Sequence, residues 1–157
     1  KTIILTNHDP HLLYMQEAMR QAYLAKDCDE VPVGAVIVKH SRIIGSGFNQ
    51  NIAMHSVTAH AEINAINEAS NFIKNYRLID CDMYVTLEPC HMCAKAIVDA
   101  RIKNLYFATS EPKSGAIISI DSFLDKSFLN HKVSYKHGMM QKESSQLLKK
   151  FFISRRA

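Results

Sequence analysis

DCDMYVTLEPCHMCAKAIVDARIKNLYFAT, running from Asp80 to Thr109, is the stretch whose reading decides the fold. Within it Cys81, Met83, Val85 and Leu87 alternate with Asp82, Tyr84 and Thr86, the period of two that marks a strand. Pro89 ends that strand, because it has no N–H to give to a ladder. Cys90 to Ala100 then reads as a short helix, and NLYFAT (Asn104 to Thr109) as a second strand. Strand, helix and strand in this order predict a right-handed crossover between two strands of one sheet, with the helix on its face.

Working outward, VPVGAVIV (Val31 to Val38) and RIIGSGF (Arg42 to Phe48) are rich in β-branched residues and joined by a short polar turn, which predicts a hairpin. Asp9-Pro10 is an N-cap with proline at the first helical position. Leu12, Met15, Ala18, Met19, Ala22 and Ala25 then recur at helical spacing to about Lys26. Thr58 is placed to cap a helix from about Ala59 to Ser70. Downstream, a looser stretch from Ser110 to Asn130 holds one helical turn. KVSYK (Lys132 to Lys136) reads as an edge strand, and Gln141 to Arg156 as a final helix with Leu147, Leu148, Phe151 and Phe152 on its apolar side. The expected fold is α/β: a three-layer α/β/α sandwich around a mixed sheet of about five strands. With no repeat, linker or low-complexity segment, residues 1–157 are expected to form one domain.

Composition narrows the function. Apolar residues make up 47% and charged residues 22% of the 157, the balance of an ordinary globular chain. No apolar run approaches the roughly 18 residues that span a bilayer, and no signal peptide is visible. The chain opens on Lys1 rather than Met, which fits the removal of a few residues. Four cysteines, two in C-x-x-C spacing, suit metal or redox chemistry in a reducing cytoplasm better than a disulfide framework. From Lys126 onward there are eight Lys or Arg and one acid, Glu143, a net +7, while residues 1–125 carry −3. A basic end on a mildly acidic body points to a polyanionic partner, or more blandly to a solvated basic helix.

The chemistry lies in two short motifs. His60-Ala61-Glu62 and Cys90-His91-Met92-Cys93 each stand at the start of an expected helix, with 27 residues between Glu62 and Cys90. Thiols at i and i+3 share one side of a helix, and the positive helix N-terminus favours their ionised form. One histidine and two cysteines make three ligands for a Zn²⁺ ion, one per chain, and leave a fourth position open, the arrangement of catalytic rather than structural zinc. Zinc lowers the pKa of bound water toward about 7, and Glu62 is placed to accept the proton as general base and return it as general acid. C-x-x-C alone would equally suit a thioredoxin-like redox pair. The combined H-x-E…P-C-x-x-C pattern is that of the zinc deaminases of nucleobases.

Beyond those motifs, EVPVGAVIV, TAHAEINAI, NYRLID, MYVTLEPCHMCAKAIV, ARIKNLYFA, LNHKV and FFISRR together resemble the bacterial tRNA-specific adenosine deaminases of the cytidine/deoxycytidylate deaminase superfamily. The resemblance runs over almost the whole chain. It implies a cytidine-deaminase-like fold and conversion of adenosine to inosine at the wobble position of a tRNA anticodon loop, by a cytoplasmic homodimer. His60, Cys90 and Cys93 fall on the family's zinc ligands and Glu62 on its acid/base. Asn49 falls on an asparagine that contacts the nucleoside, and Lys113 and Asn130 on positions near the anticodon loop. Glu111 departs from the family, which usually has aspartate beside the flanking ribose. The chain also ends at Ala157, short of the longer basic tail of some members.

Each lesser residue has a plainer reading. Asn49, Glu111, Lys113 and Asn130 also suit ordinary turns, and one of Phe151 and Phe152 is expected to pack inward. Arg155 and Arg156, on the basic helix, are candidates for phosphate contacts. His91 is expected to face away from the ligands. An enzyme of the same fold acting on a free base, nucleoside or nucleotide would keep all four chemical residues. A zinc-stabilised RNA-binding module would have no use for Glu62.

Overall fold

The computed structural model describes residues 9–156; Lys1, His8 and Ala157 lie outside the described residues. The chain runs α1 (Pro10–Asp27), β1 (Gly34–Lys39), β2 (Arg42–Phe48), α2 (Ala61–Ile73), β3 (Cys81–Leu87), α3 (His91–Asp99), β4 (Asn104–Thr109), a 3₁₀ turn (Phe123–Asp125), β5 (Ser134–His137) and α4 (Gln141–Arg156). The five strands form one mixed sheet in the order β2-β1-β3-β4-β5. β1 pairs antiparallel with both β2 and β3, while β3-β4 and β4-β5 are parallel. The expected mixed sheet of five strands is the one observed, with β5 on the edge.

Alternation along the strands builds the two cores. Ala35, Ile37, Met83, Val85, Leu105 and Phe107 face α2 and α3. Val36, Val38, Tyr84 and Ala108 face α1, and α4 joins α1 on that side by packing Leu147 against Met19 and Ala22. Helices therefore cover both faces, and the central strands read as apolar runs because both of their faces are buried. The hairpin turns through His40 and Ser41 with φ of 49° and 62°, the doubly left-handed geometry of a type I′ turn.

α2 lies unusually close to β2. A Cβ on Gly47 would stand 2.6 Å from the Ala65 nitrogen, and one on Gly45 2.6 Å from the Ala65 carbonyl oxygen. Glycine on the strand and alanine at 61, 65 and 69 on the helix thus bring backbone against backbone.

Two expectations shift. α2 begins at Ala61, and its N-cap is His60 rather than Thr58. No side chain of the cap residue bonds the helix; instead Asn49 Oδ1, twelve residues upstream, accepts the Ala61 N–H at 2.8 Å. β1 starts at Gly34, because Val31 to Val33 bend away before the ladder begins.

Candidate active site

Both motifs arrive at one end of the sheet. β2, β3 and β4 run in the same direction, and their C-terminal ends deliver Asn49, Glu88–Cys90 and Ser110–Ser114 to a common edge. Ligand sites in open α/β sheets form at that edge. The N-termini of α2 and α3 point there as well.

His60 and Cys90 are the N-cap residues of α2 and α3, and neither side chain makes a capping bond. Both are turned to each other instead. His60 Nδ1 lies 3.7 Å from Cys90 Sγ and 3.4 Å from Cys93 Sγ. The three donor atoms all lie within 4.8 Å of one another, and they form a group that could hold a metal ion. In a tetrahedral zinc site with bonds of roughly 2.0–2.3 Å, ligand atoms stand about 3.5 Å apart. The observed spacings match that figure.

The electrostatics fit the same ion. Hydrogen bonds from Cys93 and from His60 pull the Cys90 thiol down to about 4 in spite of its partial burial. The bond to Cys90 and near-complete burial push Cys93 up. His60 is raised by its hydrogen bond with Cys90. One imidazole and two sulfurs thus perturb one another at close range, and a divalent cation would be held by the same donor set.

Glu62, on the first turn of α2, is 4% exposed. Burial raises its pKa, with the nearby His60 pulling the other way. A carboxyl in such surroundings holds a proton more readily than a free one. Glu62 lines a cavity of about 210 Å³ together with His60 and Cys90 and the apolar Val31, Val33 and Leu87. Asn49 and Glu111 supply polar groups at its sides. Because Asn49 Oδ1 is engaged by Ala61, its amide N–H₂ is the group left for a ligand. The volume is below the roughly 300–1,000 Å³ of drug-sized sites, and suits one flat ring.

The profile of the MafB19-like deaminases matches residues 9–156. The tRNA-specific adenosine deaminase of Haemophilus influenzae is 46% identical, covering 90% of this chain and 83% of its own length. That of Buchnera aphidicola subsp. Schizaphis graminum is 41% identical, covering 96% and 98%. The chain belongs to the tRNA-specific adenosine deaminase family. A solved structure from work on A-to-I editing by tRNA:A34 deaminases superposes with a TM-score of 0.85 at 40% identity, over 87% of this chain and 99% of the other.

Within this deaminase, the remaining sequence candidates divide. A second groove of about 580 Å³ shares Leu87 and Glu111 with the cavity and continues past Lys113, Lys149, Phe152 and Arg156. Glu111 therefore stands on the wall common to both spaces, Lys113 lines the groove alone, and Glu111 Oε1 accepts the Lys113 N–H at 2.9 Å. Phe152 is 45% exposed while Phe151 is 8% exposed, so one aromatic faces out and one in.

Arg155 and Asn130 are placed elsewhere. The Arg155 guanidinium donates to the Asp29 carbonyl at 2.6 Å and lies over the Phe151 ring, directed at the end of α1. Of the two terminal arginines, only Arg156 lines the groove. Asn130 is exposed, beside Lys126, His131 and Lys132 in a separate pocket. His91 points away from the thiols, with Nε2 3.1 Å from Asp121.

Two buried acids escaped the sequence reading. Glu30 accepts the N–H groups of Ile52 and Ala53 and so holds the loop after β2. Glu88 lines the cavity and accepts hydrogen bonds from the loop after β4. The only signal for Glu88 was a charge between the apolar Leu87 and the strand-ending Pro89.

Proposed function

We propose that this chain, acting as one domain, converts adenosine to inosine at the wobble position of a tRNA anticodon loop, with release of ammonia. The observation that carries the proposal is a histidine, two cysteines and a buried glutamate converging at a cavity of base size that shares a wall with a basic groove. The names of its relatives support the same substrate. His60, Cys90 and Cys93 would hold one zinc ion per chain. When bound, the ion supplies Lewis-acid activation of a water at neutral pH.

The chain's own groups do the rest. Glu62 takes a proton from the attacking water and delivers it to the adenine N1. It then carries the second proton to the departing amino group, which leaves as ammonia. Val31, Val33 and Leu87 exclude bulk water from this exchange, and the Asn49 amide holds the nucleoside. Lys113, Lys149 and Arg156 meet phosphates along the groove. A loop base can be splayed out at low cost, whereas a stacked base in a duplex cannot reach the cavity floor. The reading includes a homodimer in the cytoplasm; among the described residues no helix is long and apolar enough to cross a membrane.

The test is inosine formation in an anticodon stem-loop against free adenosine, compared as kcat/KM. Remote contacts used for positioning make the stem-loop better by at least about 100-fold, in kcat as well as KM. Comparable values, or faster deamination of free guanine or cytosine, would move the protein to small-molecule substrates.

Asn49 permits a finer test. Asn49→Asp keeps the acceptor for the Ala61 N–H and loses only the amide N–H₂. The melting temperature should hold within about 5 °C while kcat/KM falls about tenfold or more, the cost of losing one hydrogen bond to substrate and gaining a charge beside it. Unchanged kinetics would reduce Asn49 to a support of α2.

A further inference from the structure

Glu88 places a charge at the end of an apolar strand and is only 3% exposed. Its Oε1 accepts the Glu111 N–H at 3.0 Å and the Ser119 hydroxyl. Its Oε2 accepts the N–H groups of Ile117, Ile118 and Ser119 at 3.0, 2.8 and 3.0 Å. Gly115 passes so close that a Cβ there would meet the carboxyl group at 2.3–2.5 Å. The neighbouring Pro89 carbonyl accepts the Ala116 N–H at 2.9 Å. Residues 111–119 are therefore wrapped around one side chain.

Where that side chain sits matters more than the number of bonds. Two residues after Glu88 comes Cys90, and the wrapped loop supplies Glu111 and Ser114 to the cavity wall. A buried carboxylate is costly unless every lone pair is satisfied, so a segment needing only stability would carry an apolar residue here. Donors from four backbone positions and one hydroxyl converge on it instead, and they tie the loop to the segment between β3 and α3 that carries Cys90.

We propose that Glu88 is a positioning residue: it holds the wall bearing Glu111 and Ser114 at a set distance from Cys90, and thereby governs capture of the nucleotide entering the cavity. The inference rests on the function proposed above. It makes Glu88 act through the loop, on substrate binding, and not on the proton transfers.

Glu88→Gln keeps the shape but replaces one acceptor oxygen with a donor, so either the Glu111 N–H or the trio at 117–119 loses its partner. The variant should keep about one zinc per chain and exchange its amide hydrogens faster at residues 111–119. Its KM for the anticodon stem-loop should rise about tenfold, with kcat changed less than about threefold. Ser119→Ala removes a single donor and should move KM in the same direction by a smaller factor, which keeps the test open if the glutamine variant fails to fold. A side chain that merely props the fold would lower the melting temperature and the active fraction while leaving KM per active site unchanged, and that result overturns the proposal. Loss of zinc from Glu88→Gln also overturns it, since Glu88 would then be a support of Cys90. If the wild-type protein forms no inosine, the proposed function fails by itself. Amide exchange then decides for Glu88, with unchanged protection at 111–119 ruling against it.

Discussion

Glu62→Gln is expected to fold, to bind about one zinc per chain and to lose about 10²–10⁴-fold or more in kcat. The amide fills the same volume in a position that is 4% exposed, so packing against α2's neighbours is kept. What is lost is the ability to take a proton from water and return it to ring nitrogen and ammonia, which typically contributes that factor. Failure to activate the nucleophile adds to it. Replacing the buried carboxyl by an amide of the same size should leave the melting temperature unchanged or slightly higher. Single-turnover kinetics on the stem-loop, with metal analysis of the same sample, check the result. Retention of more than about a tenth of the wild-type rate would assign the proton transfers to another group.

Cys93→Ala is expected to empty the metal site. Cys93 is fully buried, its sulfur 3.4 Å from His60 Nδ1, and its loss leaves two ligands where catalytic zinc takes three. The wild-type protein should carry about one zinc per chain and the variant almost none by elemental analysis. Stability should follow, because the ion would join the starts of α2 and α3. Free metal at about 1,000 times its Kd stabilises the native state by about 4 kcal/mol, or about 8–16 °C in a domain of this size. The same drop should appear when a chelator strips the wild-type protein. Full zinc occupancy in Cys93→Ala would remove the residue from the ligand set.

Local periodicity carried most of the fold. β2, β3, β4 and α4 begin and end where alternation, Pro89 and the final amphipathic run place them, since their own side chains decide their boundaries. α2 was misplaced by two residues because the group that starts it, Asn49, belongs to a different segment. The helix cap chosen from Thr58 followed a local rule where a distant acceptor had won. β4 and β5 are parallel neighbours joined by 24 residues containing only a 3₁₀ turn, and no periodicity could reveal that Glu88 organises that connection. The grouping of His60, Cys90 and Cys93 was legible because the types and spacing of possible ligands follow from coordination chemistry. Asn130 and Arg155 were not, since side-chain direction at an exposed position depends on neighbours such as Asp29 that sequence does not bring near.

The contact between β2 and α2 has a consequence for how such a site changes. With backbone against backbone at Gly45, Gly47 and Ala65, the helix that carries Glu62 has no room to move closer to β2 or to accept a larger side chain between them. If Glu62 acts as proposed, its position depends on that close contact, and accommodation of a different substrate is expected from the other walls of the cavity. Alterations that broaden or redirect substrate choice should therefore gather in residues 110–119 and along α4, while variants selected for new substrates leave the glycines of β2 and the alanines of α2 untouched.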